Sequence, residues 1–262
     1  MRILWQSFVN AAQNTRYFER LSDYLNKIAA PGTSVELVGM DPPDRDFSRL
    51  TEFRCAALAI DRCIEAEEKG YDAFVLGHFQ DPGLYEARSA VCIPVVGTGE
   101  STMHYAAQLG RRLALITIDP VFEAWHYEQA DRYGLGHRVS HVAGLGFDTK
   151  DFEAAFEGDC DAFARLLAVF NAKAEPLVNA GADVVVPAGV LPGLLFGRER
   201  GLKVGHAPVV NCAAVALKAA EMAVALAQLT GIEPSRGPCY ASAPKRAISD
   251  FRDFVARGRQ DG

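Results

Sequence analysis

The sequence predicts an α/β protein of two pseudo-symmetric domains, each built on a parallel sheet. Three observations predict it. Strand-like apolar runs alternate with helix-like stretches, the pattern that builds parallel sheets with crossover helices. The chain resembles itself at an offset of 111 positions, so that Gly70 falls on Gly181 and Asp72 on Asp183. In both copies an apolar run then meets a glycine-containing loop: Ala73-Phe74-Val75-Leu76 enters Gly77-His78-Phe79-Gln80-Asp81-Pro82-Gly83, and Val184-Val185-Val186 enters Pro187-Ala188-Gly189-Val190. Open parallel sheets bind ligands at such strand ends.

The elements follow in order. The run Ile3-Leu4-Trp5 is a short strand, and Ser7-Phe8-Val9-Asn10 is the loop after it. A helix is expected over 15–29, a strand over 34–38, a loop around Pro42-Pro43, a helix over 52–69 and a strand over 73–76. Then come a strand at 94–96, a helix over 101–109, a strand over 113–117, a helix over 121–133 and a strand over 139–143. At the repeat offset Ile3-Leu4-Trp5 falls on Ala114-Leu115-Ile116. Ile93-Pro94-Val95-Val96-Gly97 resembles Ala207-Pro208-Val209-Val210-Asn211 after a three-residue slip, which completes two equivalent units. The stretch 212–229 is Ala-rich and free of breakers, which suits a closely packed helix. The tail carries Pro238, Pro244 and a short amphipathic helix around Ile248, Phe251, Phe254 and Val255. The expected domains are 1–97 with 212–262, and 98–211; the 262 residues suffice for two of modest size.

A net charge of -6 and the absence of any basic run longer than Arg111-Arg112 argue against nucleic acid as a partner. The opening residues turn polar too early for a secretory segment, and no apolar run approaches the roughly 18 residues of a membrane span, so a soluble cytoplasmic protein is expected. Cysteines at 55, 63, 92, 160, 212 and 239 form no Cys-x-x-Cys pair, and reduced thiols are expected. Cys55 and Cys63 fall two helical turns apart, as small core residues do.

The segment Asp-Ala-Phe-Val-Leu-Gly-His-Phe-Gln-Asp-Pro-Gly-Leu at 72–84, together with Ile93-Pro94-Val95-Val96-Gly97 in a duplicated chain, resembles the aspartate/glutamate racemase superfamily, nearest its hydantoin and allantoin racemase branch. The resemblance spans nearly the whole chain. It implies a cofactor-independent enzyme for a small molecule, with its active site in the cleft between the two domains, and a homo-oligomer. In that family a cysteine ends the corresponding strand of each half, and the two thiols act as paired acid and base. Here those positions align with His78 and Gly189, so the two-thiol mechanism cannot operate.

His78 suits acid/base chemistry because an imidazole titrates near neutrality; the alternative is a neutral histidine that bonds a neighbouring loop. Gly189 leaves room for a substituent or a water, in a proline-rich loop that either presents backbone N–H groups to an oxyanion or only shapes a turn. Phe79 and Val190 flank these two positions and are expected to border the substrate. Ser7, Asn10 and Thr117, with Asn14 and Asp119 in the same loops, are binding candidates by resemblance or else helix caps. Glu100 would orient His78 or act as a second acid, or else it favours a helix start. Cys212 is a rival nucleophile at a predicted helix start, where a thiol pKa can be lowered. His78, His104, His206 and Glu100 lack the paired spacing of a metal site, and no metal is expected. The leading expectation is proton transfer on a small carboxylate or cyclic amide. Hydrolysis, a lyase step, or binding without turnover are the alternatives.

Overall fold

Strand β1 (Arg2–Ser7) carries the run Ile3-Leu4-Trp5 into the middle of a sheet where these three side chains are buried. The computed structural model describes residues 1–44, 46–147, 149–197 and 200–260. After β1 the chain runs through α1 (Thr15–Ile28), β2 (Ser34–Val38), α2 (Arg49–Glu68), β3 (Ala73–Gly77), α3 (Leu84–Ala90) and β4 (Val95–Gly97). These strands form one parallel sheet in the order β2-β1-β3-β4. Helix α2 begins earlier than its apolar pattern suggests, because the Ser48 hydroxyl caps it by accepting from the Thr51 N–H at 3.1 Å.

Helix α4 (Thr98–Leu109) carries the chain to the second half: β5 (Leu113–Thr117), α5 (Phe122–Arg132), β6 (Val139–Gly144), α6 (Glu153–Glu157), α7 (Cys160–Asn179) and β7 (Val184–Ala188). The second sheet has the parallel order β6-β5-β7, and a parallel bridge between Val185 and Val209 extends it. Then follow α8 (Val190–Phe196), the small antiparallel pair β8 (Lys203–Val204) and β9 (Ala207–Pro208), α9 (Cys212–Thr230) and α10 (Lys245–Gln260). Strands β3, β5 and β7 are buried along their whole length, as expected of parallel strands covered on both faces.

Strand register makes the duplication concrete and corrects its alignment in one place. Phe74 pairs with Val95, and its counterpart Val185 bridges Val209, so the three-residue slip stands. Ile3 pairs with Ala73, however, while Leu113 pairs with Val184. The counterpart of Ile3 is therefore Leu113 rather than Ala114, and that of Ser7 is Thr117. The second half has one more residue between its paired strands, and a one-residue slip would turn each side chain to the wrong face of the sheet.

Two other expectations need correction, and one helix, α7, is additional to those expected. The stretch after Gly189 is not a turn: Val190 opens α8, and Pro192 sits in its first turn, where a missing N–H costs no helical bond. Helix α7 was legible from Ala162, Leu166, Phe170, Ala174 and Val178, which recur at four-residue spacing and are buried, behind the cap Asp159. Helix α9 is 19 residues long, and by length and composition alone it is apolar enough to cross a membrane. In the fold its buried face, including Ala213, Ala216, Leu217 and Ala220, packs on α4, α8, β3 and β4.

Candidate active site

The carboxyl ends of β1, β3 and β7 converge on one small cavity of about 70 Å³, bordered by Ser7, His78, Phe79, Gly189 and Val190. A far larger groove of about 940 Å³ lies outside this cleft, along α2, α3 and α10. Chemistry rather than size singles out the small cavity, because strand ends from both sheets and an ionisable pair meet there.

His78 follows the last residue of β3. Its ring stands edge-on to Phe8 at 4.6 Å between centroids, and its Nε2 lies 2.8 Å from Asp44 Oδ2. A carboxylate can only accept, so Nε2 carries the hydrogen and Nδ1 is the basic nitrogen. The Gln80 N–H reaches Nδ1 at 3.4 Å, a long contact that agrees with this tautomer. Burial disfavours the imidazolium, but the hydrogen bond and charge of Asp44, with smaller contributions from Glu52 and Asp81, outweigh it and hold the pKa above the ordinary 6.5.

Asp44, which borders the cavity and pairs with His78, is the residue that sequence reasoning missed. It lies in the loop after β2, beside Pro42-Pro43, in no recognisable motif. Topology brings it in: β2 flanks β1, and the Asp44 N–H donates to the Phe8 carbonyl at 2.9 Å, folding the loop over the end of β3. The residue is only 9% exposed, and its Oδ1 has no hydrogen-bond partner among the described residues. An acceptor buried in that state is costly unless a ligand or water serves it.

The β7 end is chemically bare. Gly189 has an extended backbone (φ 167°), and a Cβ added there would meet only the Pro192 ring at 3.0 Å and, more distantly, Ile118. Behind it, the Cys212 thiol donates to the Gly189 carbonyl at 3.3 Å and is buried. Burial pushes that thiol up to about 12, although backbone N–H groups at the start of α9 oppose the shift. Cys212 is therefore not the activated nucleophile that its place at a helix start suggested. It stands where Thr98 stands in the first half, and the Thr98 hydroxyl likewise donates to a strand-end carbonyl, that of Leu76, at 2.5 Å.

The structure separates the other candidates. Ser7 borders the cavity, beside the Tyr17 phenol. Asn10 does not border it: its Oδ1 accepts from Ala12 and Gln13 N–H groups, and its amide donates to Asp41. Asn14 and Asp119 are likewise spent on local bonds, to the Asn10 carbonyl and the Val121 N–H. Glu100 is turned away from His78: Arg88 holds its carboxylate, at 3.0 Å through Nη1 and through a second bond from Nη2. The strand-to-helix position favoured a helix-start role for Glu100, and its N–H serves Asp81 at 2.7 Å. His104 and His206 do not border the cavity.

Thr117 lies one layer behind. Its hydroxyl donates to Nε2 of His126 at 3.2 Å, and His126 Nδ1 donates to the Gln129 carbonyl oxygen at 2.9 Å. Burial pushes His126 down to about 4, so it is neutral near pH 7. The Gln129 amide then donates to the Phe79 carbonyl at 2.6 Å, tying α5 to the loop that carries His78. Nearby, Asp81 accepts from Gly99 and Glu100 N–H groups and from the Tyr133 hydroxyl at 3.0, 2.7 and 2.7 Å. Burial still outweighs these donors and raises Asp81 to about 7. Gly99 must be glycine here, since a Cβ would overlap the Phe79 carbonyl.

Comparison with known proteins bears on the family and the fold. The family model for Asp/Glu/hydantoin racemases matches residues 8–220. A hydantoin racemase of Pseudomonas sp. (strain NS671) is 29% identical over 205 residues, covering 77% of this chain and 79% of that one. A hydantoin racemase of Paenarthrobacter aurescens is 25% identical over 245 residues, covering 92% and 96%. Among solved structures, an allantoin racemase from Klebsiella pneumoniae superposes with a TM-score of 0.76 at 21% identity, over 94% of both chains.

Proposed function

The chain belongs to the Asp/Glu/hydantoin racemase family, a family of racemase-type enzymes, and from that premise we propose that it moves a proton at carbon in a small cyclic amide or ureide, with His78 as the base and Asp44 as its partner. The observation that carries this reading is the 2.8 Å His78–Asp44 pair bordering the strand-end cavity. Neutral His78 takes the proton on Nδ1 as the C–H bond breaks, and the electron pair moves into the adjacent carbonyl as an enolate. Asp44 stabilises the imidazolium that forms, as a carboxylate does for a catalytic histidine. The first-turn N–H groups of α8 lack helical partners and are suited to the enolate oxygen. Return of the proton from His78 gives exchange with retention; delivery from the other face gives inversion.

Charge favours a neutral ring over a free carboxylate. Among the described residues no Lys or Arg borders the cavity, and a substrate carboxylate would face the buried Asp44. A ring N–H would instead satisfy the unpartnered Asp44 Oδ1. Both curated relatives described above are hydantoin racemases, which supports the same class. No cofactor is required by this chemistry. We also propose the division into 1–97 with 212–262 and 98–211, which places His78 and Gly189 in different domains. The test is deuterium uptake at the ring carbon of 5-methylhydantoin and allantoin in deuterated water, followed by NMR. Uptake by the wild type that is lost in His78→Ala supports the reading; equal uptake by both proteins refutes it.

A further inference from the structure

Inversion needs a second proton-transfer group, and the expected sources are gone: Gly189 has no side chain, Glu100 is held by Arg88, and the Cys212 thiol donates to the Gly189 carbonyl from behind. Among the described residues that border the cavity, three side chains can titrate: Asp44, His78 and Tyr17. The first two are paired with each other, which leaves Tyr17. It projects from α1 and is 5% exposed, packed against Phe18 and Phe156. It stands between the two halves of the site: the Ser7 hydroxyl, at the end of β1, lies beside its phenol, and Leu191, two positions after Gly189, borders both this cavity and a neighbouring one together with Tyr17.

We propose that the Tyr17 phenol is the second proton-transfer group of this cavity and serves the substrate face that Gly189 leaves without a side chain. The inference rests on His78 being the base. In the inverting step His78 Nδ1 takes the proton from one face of the carbon, and Tyr17 Oη gives its own to the other. The C–H bond to the first face breaks, the C–H bond to the second forms, and imidazolium and phenolate remain. Passage of one proton from His78 to Tyr17 through solvent restores the starting state, so no co-reactant is consumed. Burial favours the neutral phenol, while the neighbouring Ser7 hydroxyl favours the phenolate it must briefly become.

The experiment follows both enantiomers of 5-methylhydantoin and of allantoin in deuterated water, reading deuterium uptake by NMR and inversion by polarimetry, against an enzyme-free control. The wild type is expected to couple uptake to inversion. In Tyr17→Phe, which keeps the ring and its packing, inversion is expected to fall by about 100-fold or more. Uptake persists in that variant for the single enantiomer whose C–H faces His78, now with retention. Adding Gly189→Cys to Tyr17→Phe is expected to restore inversion in part, because it places a thiol on the vacated face and a Cβ there needs Pro192 to give by only a few tenths of an ångström. Inversion by Tyr17→Phe at the wild-type rate would overturn the Tyr17 assignment alone. Loss of uptake for both enantiomers in a Tyr17→Phe protein with wild-type circular dichroism and no rescue by Gly189→Cys would also overturn it. Absence of uptake by the wild type with both probes would overturn the His78 reading, and the Tyr17 assignment with it.

Discussion

Strands β3 and β7 hold equivalent places in their sheets, yet one ends in a partly buried histidine paired with Asp44 and the other in a bare glycine backed by a protonated thiol. The backbone is nearly indifferent to this difference. Both strands are fully buried, and each is followed by a short helix, α3 after a six-residue loop and α8 directly after Gly189. The duplicated scaffold thus fixes where strand-end side chains stand, while the residues that occupy those places differ between the two halves. The partner of His78 comes from a loop after β2, outside the repeated strand ends.

The largest effect expected on this asymmetry comes from its charged side. His78→Ala is expected to lower carbon-proton exchange by about 10² to 10⁴-fold, the usual worth of a general base, with little change in circular dichroism. Asp44→Asn keeps the shape of the pair but removes its charge, and a fall of about 10 to 100-fold in kcat with a smaller change in KM is expected. A variant that lost only KM would show that Asp44 binds the ring without supporting the base.

Next comes the buried support behind the His78 loop. Asp81→Asn replaces an acceptor oxygen with an NH2 group that faces the Gly99 or Glu100 N–H, so a loss of about 1–3 kcal/mol in urea unfolding is expected. The pH dependence has a definite sign. The pKa of Asp81 is raised from 3.8 to about 7, so its stabilising contribution is present below 3.8 and declines as pH rises towards 7. Removing it should flatten the stability profile across that window. The smallest effect belongs to the bare side: Gly189→Ala adds a methyl that meets Pro192 at 3.0 Å, and a stability change under about 1 kcal/mol is expected. A loss of more than that would show that the β7 end is as tightly specified as the β3 end.

The two sheets and the placement of His78 and Gly189 at matching strand ends were legible in the sequence because buried parallel strands leave continuous apolar runs and a repeat offset. Local bonding was harder to read. Asn10 and Ser7 share one loop and similar chemistry, but Asn10 turns onto neighbouring backbone N–H groups while Ser7 ends a strand and reaches the cavity. Glu100 looked available until Arg88, 12 positions earlier in sequence and across the β4 turn, claimed it. Asp44 and Tyr17 carry no spacing signal at all. Their places at the cavity arise from packing between elements, which no short window of sequence contains.

The central claim is that Asp44 tunes His78 as the base, and the pH profile of deuterium uptake in wild type and Asp44→Asn tests it most directly. The basic form of His78 exists above its pKa, which the Asp44 interaction raises above 6.5, so uptake in the wild type should rise with pH to a midpoint above that value. In Asp44→Asn the midpoint should move to lower pH while the plateau falls. Coincident midpoints in the two proteins, or a wild-type rate independent of pH from about 5 to 9, would contradict the account.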